Sequence, residues 1–348
     1  MAEGEVNPAE RSCARLIRLA QVAPERELAF VAQLASRAGA SALVISELTG
    51  EATALGRGQR AGVSGALPEL RRLGGGRSTQ YGDGIVSLCA LAPEPQAWLD
   101  EQPELTGPRL LNRLVRGLLA GLSRLGLQAS YPGRDFALAN GRRIAYVSLA
   151  REPSGVALFQ AVLGVGRPYT TAEREPSWPG LPAPPAATAL ARERVPAPGF
   201  DAIAQALAAG FADRFGLALD DAPLSDEERA RAESPAPPLD DPELAALVSA
   251  GPIATPIGEL EAHVALDAEA RLARVRLRGD FMAAQSALAR LEAELAGALP
   301  GSVQVRELCK AWLANPASLV VGLSGASAVS DAIARSARAY SAARPPSA

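Results

Sequence analysis

The chain has 348 residues, enough for two domains, and its hydrophobic fraction of 48% and charged fraction of 21% are those of a globular protein. A net charge of -3 argues against general binding to nucleic acid or anionic membranes, because such binding needs a basic surface. Three separated cysteines, Cys13, Cys89 and Cys309, form neither a disulfide framework nor a zinc pattern, and the first residues lack the apolar core of a signal peptide. We therefore expect a cytoplasmic protein with no nucleic-acid or membrane partner.

The first half of the sequence alternates irregularly between helical and extended patterns. Leucines that recur every three or four positions, with Pro108 in the first turn, are typical of an amphipathic helix. Short apolar runs that end at glycines predict strands. The predicted elements are a helix over 24–39, strands over 41–47, 52–60 and 84–92, and a helix over 106–127.

The middle of the chain predicts three further strands. Residues 135–152 form two of them around an Asn-Gly turn, and residues 155–165 form the third. A proline-rich stretch over 168–199 and a helix over 200–217 follow. Because strict alternation of strands and helices is missing, we predict the α+β class, with a mixed or antiparallel sheet flanked by helices rather than a doubly wound one.

A change in composition predicts a domain boundary. Residues 219–244 are acidic and rich in proline, which is typical of a linker, so the predicted domains are 1–218 and 245–348. The second domain is predicted to be a small α+β unit, with two strands around a turn at Asp267–Ala270 and a long helix that begins at Gly279–Asp280.

Arginines flank two glycine-rich stretches, which are candidates for an anion site. Three consecutive glycines are costly to order, so the backbone there is expected to approach something closely. Glycine amides and guanidinium forks together suit a phosphate or a carboxylate, whereas the alternative is a pair of flexible hairpin turns with solvated arginines. The candidate residues are Arg57, Arg60, Arg71, Arg72, Gly74, Gly75, Gly76 and Arg77.

Three motifs in this region resemble those of the lipoate–protein ligase family. They are "LGRGQ" at 55–59, "LRRLGGG" at 70–76 and "GRDFALANGRRIA" at 133–145, and they occur in the family's order. The strand, turn, strand and "GDF" of the C-terminal part are similar to the accessory domain of these ligases. The resemblance covers most of residues 14–216 and about 255–322, and it implies a biotin/lipoate ligase-like fold.

The resemblance also implies an activity. A lipoate–protein ligase uses ATP and Mg²⁺ to convert lipoate or another medium-chain acid, such as octanoate, to an acyl-AMP. It then passes the acyl group to a lysine of a lipoyl carrier domain or of the glycine cleavage H protein. Position by position, Arg143 falls on the family's catalytic lysine. The implied adenylate-binding residues are Arg57, Arg71, Arg72, Gly74, Gly75, Gly76, Arg77, Asp135 and Ala145, and Asp135 is the implied metal ligand.

Departures from the family pattern leave several functions open. Arg134, Tyr146 and Gln160 stand where the family has asparagine, glycine and histidine. The protein is therefore either an active ligase that uses Arg143, or an inactive protein that binds lipoyl adenylate or a lipoyl domain. A biotin–protein ligase is a further alternative, because "GRGQRAG" is similar to a loop of that family. An octanoyltransferase would need a cysteine nucleophile, and Cys89 lies in an apolar strand-like run, so we rank it last.

Overall fold

The computed structural model describes residues 12–37, 39, 41–62, 67–93, 98–99, 105–171, 183–221, 223–226, 228, 239 and 242–343. The strands are β1 (Cys13–Val22), β2 (Ala42–Leu48), β3 (Glu51–Leu55), β4 (Glu69–Arg71), β5 (Thr79–Gly82), β6 (Ile85–Ala92), β7 (Ala129–Ser130), β8 (Phe136–Ala139), β9 (Arg142–Arg151), β10 (Ala157–Gly164), β11 (Ala218–Asp221), β12 (Val248–Ser249), β13 (Ile253–Thr255), β14 (Gly258–Leu266) and β15 (Leu272–Gly279). The helices are α1 (Pro24–Ser36), α2 (Gly107–Arg124), α3 (Leu190–Glu193), α4 (Phe200–Phe215), α5 (Gln285–Glu294), α6 (Val303–Ala314) and α7 (Ala326–Ala343).

The largest sheet has eight strands in the order β11-β1-β2-β6-β10-β9-β8-β7. β1 runs parallel to β2 and to β11, and the other neighbours are antiparallel. The parallel pair β1–β2 requires a crossover connection, which α1 supplies. The predicted α+β class with a mixed sheet flanked by helices is confirmed.

Different elements cover the two faces of this sheet, because successive side chains of a strand point to opposite sides. On one face, Leu114 of α2 and Phe211 of α4 join a core with Val147 of β9 and Phe159 of β10. The other face is covered by α1 and by a small sheet in the order β4-β3-β5. The site described below lies between the large sheet and this small one.

The C-terminal part is built on a hairpin. β14 pairs with β15 over most of its length and with the short β12 and β13, and α7 packs on β14. The predicted turn is confirmed: the Asp267 carboxylate accepts hydrogen bonds from the amides of Glu269 and Arg271.

The predicted long helix beginning at Gly279–Asp280 is wrong. β15 continues to Gly279, and α5 begins only at Gln285. The chain stays extended because the Asp280 carboxylate accepts a hydrogen bond from the Glu259 amide at 2.9 Å, and because Met282 forms a β-bridge with Val321. Asp280, which in the sequence resembles the first residue of a helix, therefore attaches this segment to β14.

The predicted linker over 219–244 is only partly described. β11 spans the predicted boundary at residue 218 and pairs with β1, whereas 222, 227, 229–238 and 240–241 lie outside the described residues, as do 172–182 of the proline-rich stretch. The division into domains stays a prediction. Among the described helices, none is both long and apolar enough to cross a membrane.

Candidate functional site

The two glycine-rich stretches of the sequence lie side by side in the structure. Residues 56–60 form the turn after β3, and Gly74, Gly75 and Gly76, the glycine loop, lie between β4 and β5. The Arg57 amide donates to the Gly74 carbonyl at 3.0 Å. A Cβ atom at Gly56 would overlap the Gly76 carbonyl, so only glycine permits this approach.

A segment of the C-terminal part, Gly279–Met282, lies directly on the glycine loop; we call it the cover segment. The Gly76 amide donates to the Phe281 carbonyl at 3.1 Å, and the Gly279 amide donates to the Gly58 carbonyl at 2.8 Å. A Cβ atom at Gly75 would lie 2.7 Å from the Phe281 carbonyl oxygen and 2.8 Å from Met282 Cα. The close approach predicted from the glycines is therefore made, in this arrangement, by another part of the chain.

Side-chain contacts also join the turn at 56–60 to the C-terminal part. The Gln59 amide donates to Asp280 Oδ1 at 2.7 Å, and Arg60 lies 3.3 Å from the Glu261 carboxylate. The pKa of Glu261 is lowered to about 2, first by its hydrogen bond with His263 and in smaller part by Arg60. The turn at 56–60 thus binds the C-terminal part through both backbone and side-chain groups.

Arg72 is buried beneath the glycine loop and organises it. Its guanidinium donates to the Gly75 carbonyl at 3.0 Å, to the Ala54 carbonyl at 2.9 Å and to the Tyr146 hydroxyl at 2.8 Å. It also donates to the Arg77 carbonyl. Arg72 therefore fixes the shape of the loop from below.

Tyr146 closes the loop on its sheet side. Its hydroxyl donates to the Gly75 carbonyl at 3.2 Å, and a Cβ atom at Gly76, whose φ is +86°, would overlap that hydroxyl. Burial raises the pKa of Tyr146, so the phenol is neutral and remains a donor. The position that the family fills with glycine therefore holds a side chain that supports the loop.

Arg77 and Asp135 form an ion pair that is sealed from solvent. Arg77 Nε donates to Asp135 Oδ2 at 2.7 Å, and both side chains are 0% exposed. Mg²⁺ usually keeps several water ligands and needs octahedral access. A carboxylate that is fully buried and already receives a guanidinium does not fit that role, and we derive no step through a metal here.

The remaining arginines of the first motifs are also engaged. Arg57 forms an ion pair with Glu152. Arg71 donates to the carbonyls of Arg57 and Gln59, at 3.1 and 2.8 Å, and to that of Leu239 at 2.6 Å. Arg71 thus ties the turn at 56–60 to a residue that precedes the C-terminal part.

Arg143 lies at the start of β9. Its Nε donates to the Pro185 carbonyl at 2.6 Å, and its guanidinium carbon lies 5.8 Å from the centre of the Phe136 ring. Ala145 is buried in the core beside α2, on the face of β9 opposite to Tyr146. The structure therefore brings Arg57, Arg71, Arg72, Arg77, Asp135 and the three glycines together, with Arg143 at the edge and the Ala145 side chain on the other face.

Two features of the site were missed by the sequence analysis. Arg134 is one, because its guanidinium carbon lies 5.3 Å from the centre of the same Phe136 ring. The other is a buried polar cluster on the large sheet, in which Glu27 accepts hydrogen bonds from Ser87 at 2.8 Å and from Cys89 at 3.6 Å. Glu27 lies in the predicted helix 24–39, and its acidic side chain next to apolar residues is the only sequence signal that could have indicated the cluster.

The polar cluster bears on Cys89. Burial raises the pKa of Glu27 from 4.5 to about 7, and burial also raises the pKa of Cys89 well above its usual value. A protonated, fully buried thiol is a poor nucleophile. Among the described residues, no group of three His, Cys, Asp or Glu side chains is arranged to hold a metal ion.

Comparisons with known proteins place the fold. No family model matches the sequence, and no curated protein matches it. LipL1 of P. falciparum in complex with lipoate is similar in structure, with 10% identity, a TM-score of 0.54, and coverage of 80% of this chain and 88% of that one. A bi-partite lipoate protein ligase of Thermoplasma acidophilum has 14% identity and a TM-score of 0.48, covering 64% of this chain and 91% of that one. The biotin protein ligase of Aquifex aeolicus has 7% identity and a TM-score of 0.34, covering 59% of this chain and 69% of that one. The similarity to LipL1 confirms the predicted fold: the chain has a lipoate–protein ligase-like fold.

Proposed function

We propose that the protein is an acyl–protein ligase of the lipoate type, which activates lipoate or another medium-chain acid with ATP and transfers the acyl group to a carrier lysine. One observation carries the proposal: the two neighbouring motifs at 55–59 and 70–76 meet the third, at 133–145, at one place on the sheet. Arg57 contacts Gly74, Arg77 contacts Asp135, and Tyr146 contacts Gly75. The shared fold with a lipoate-bound ligase supports the same conclusion.

In this proposal the residues of the site have different roles. Arg72 and Tyr146 shape the glycine loop by binding its carbonyls, so its amides are preorganised for an anion as charge develops on it. ATP supplies the adenylyl group. Arg143 is a permanent cation at the edge of the sheet, and its guanidinium can grip a phosphate in bidentate fashion. We assign it the role of the family's lysine.

Access to the glycine loop needs a movement of the cover segment. The Gly76 amide is occupied by the Phe281 carbonyl, and Gly75 packs on Phe281 and Met282. The loop can offer its amides to a ligand only when these contacts open. The carrier, a lipoyl domain or the glycine cleavage H protein, would then present its lysine at the same opening.

ATP–pyrophosphate exchange with lipoate, octanoate and biotin tests the proposal. We expect exchange with lipoate or octanoate and little with biotin, and acyl transfer to a purified lipoyl domain. The matched variants are Arg143→Ala, which should reduce exchange, and Arg109→Ala, an exposed arginine of α2 that should not. Exchange with biotin alone would identify a biotin–protein ligase instead.

A second candidate is an inactive protein that binds a lipoyl adenylate or a lipoyl domain. Its support is that the family's lysine is replaced by Arg143, whose Nε is held by Pro185. In that case a non-hydrolysable lipoyl-AMP mimic raises Tm by mass action, although no acid supports exchange. If neither exchange nor stabilisation by the mimic is found, both candidates are wrong.

A further inference from the structure

Arg134 and Arg143 lie around one aromatic ring at the edge of the large sheet. Their guanidinium carbons are 5.3 and 5.8 Å from the centre of the Phe136 ring. Both side chains are partly buried, whereas Phe136 itself is buried. Stacking on an aromatic ring holds a guanidinium by its face, while its N–H groups lie along its edges.

The charge of Arg134 is not balanced by a carboxylate in the described part of the chain. There its side chain donates to the Pro256 carbonyl at 3.2 Å, and its Nε is buried without a hydrogen-bond partner. The adjacent Asp135 is paired with Arg77 instead, and Arg142 is paired with Glu193. A partly exposed cation whose charge is not balanced by a carboxylate, placed beside a second arginine, attracts an anion.

We infer that Arg134 and Arg143 together form a binding site for the phosphate chain of a nucleoside triphosphate, and that their two charges do there what a divalent cation would otherwise do. The inference rests on the proposed function, because it assigns the phosphate end of its nucleotide. It also follows from the sealed Arg77–Asp135 pair, which leaves Asp135 unsuited to Mg²⁺. Two guanidinium forks can contact oxygens of successive phosphates, as a bridging cation does.

The site also depends on the C-terminal part. The Arg134 side chain donates to the carbonyl of Pro256, which precedes β14 and lies outside the cover segment, so the C-terminal part helps to orient it. We therefore assign Arg134 as a binding residue whose geometry the two parts of the chain share.

Binding of inorganic tripolyphosphate to the full chain, measured by calorimetry in EDTA and again in Mg²⁺, tests this inference without any need for activity. We expect the wild type to bind tripolyphosphate in EDTA. Arg134→Gln keeps a polar side chain but removes the charge, and should weaken binding at least about tenfold, because hydrogen bonds to charged groups are the strong ones. Arg134→Lys should retain part of the affinity, and Arg109→Ala should bind as the wild type does.

The outcomes separate this inference from the proposed function. Tripolyphosphate binding that requires Mg²⁺, or that is the same in Arg134→Gln as in the wild type while both have the same Tm, overturns the inference even if adenylate is formed. Binding in EDTA that is lost in Arg134→Gln supports it even if no acid supports exchange, and in that case only the proposed function fails.

Discussion

The arginines beneath the glycine loop and those at the sheet edge look alike in the sequence but have opposite surroundings. Arg72 is 1% exposed and Arg77 is 0% exposed, and their guanidinium groups bind carbonyls, a phenol and a buried carboxylate. Arg134 and Arg143 are partly exposed and stack around Phe136. The first pair builds the site, and the second pair is the one that we propose binds a ligand.

An arginine next to a glycine loop is therefore not by itself an anion-binding residue. A buried guanidinium is tolerated only when it is paired and its donors are used. Mutating the interior pair should therefore change stability, whereas mutating the edge pair should change binding.

Asp135→Asn is expected to have the largest effect on stability. It leaves the Arg77 charge buried without a counter-charge, which typically costs about 3–5 kcal/mol. Urea unfolding measures the loss. The control is Arg142→Ala, which breaks an ion pair with Glu193 whose arginine is 50% exposed and should cost less than about 1 kcal/mol. Equal losses in the two variants would contradict the division.

Glu27 is a buried acid, and its protonation should affect stability. Its pKa rises from 4.5 to about 7 on folding, mainly because of burial. As the pH rises through this interval, the unfolded chain ionises first, so stability should fall between about pH 4.5 and 7, by up to about 3 kcal/mol. Below the lower value both states are protonated, and the effect vanishes.

The measurement is urea unfolding of the wild type and of Glu27→Gln between pH 4.5 and 8. The variant should lack this slope and should gain stability relative to the wild type at the higher pH. Glu25→Gln, at an exposed position of the same helix, is the control and should keep the slope. If the dependence of stability on pH is unchanged in Glu27→Gln, it arises from another titrating group.

Gly76→Ala tests how closely the loop is packed. Gly76 has a φ of +86°, and an added Cβ would overlap the Tyr146 hydroxyl. Gly155 has a φ of +89° with nothing within 4 Å of an added Cβ, so Gly155→Ala carries only the backbone cost of about 1–2 kcal/mol. Gly76→Ala should cost about 1–2 kcal/mol more than this control.

A double-mutant cycle with Tyr146→Phe identifies the cause of that excess. Removing the hydroxyl should relieve part of the cost of Gly76→Ala, because the overlapping atom is gone. If the two substitutions are additive, the loop is held by contacts other than those with Tyr146.

Arg143→Ala should change binding more than stability. We expect unfolding to shift by less than about 1 kcal/mol, and the affinity for a lipoyl-AMP mimic to fall about tenfold, roughly 1.4 kcal/mol. Arg143→Lys keeps the charge, so its affinity for the mimic should lie between those of the wild type and Arg143→Ala. A large loss of stability with unchanged affinity would place Arg143 with the interior arginines.

Local patterns predicted much of the fold. The leucine stripe of α2 and the Asn-Gly turn between β8 and β9 were read correctly, because each depends on neighbours only a few residues away. The start at Gly279–Asp280 was read wrongly, because the Asp280 carboxylate binds Gln59, 221 residues away, instead of capping a helix. No local pattern contains that partner.

The same distinction applies to the site. The sequence identified which residues meet, since Arg77 and Asp135 are in contact. It did not show that this pair is sealed or that the cover segment occupies the loop, because the cover segment comes from a part of the chain far from the loop in the sequence. Arg134 was noted only as a departure from a family pattern, and its position beside Arg143 depends on the pairing of β8 with β9.

The hydrogen bond from Arg71 to the Leu239 carbonyl makes the covalent connection between the two halves of the molecule effectively shorter. While this hydrogen bond holds, the connecting segment that must move with the cover segment begins at Leu239 rather than at the end of β11. Fewer than ten residues separate Leu239 from β12. A shorter tether raises the effective concentration of the cover segment at the glycine loop. The carbonyls of Gly56, Arg57, Gln59 and Leu239, which Arg71 binds, lie outside the cover segment. We therefore expect Arg71 to act on reclosing at a distance, so weakening its contact with Leu239 should lengthen each opening.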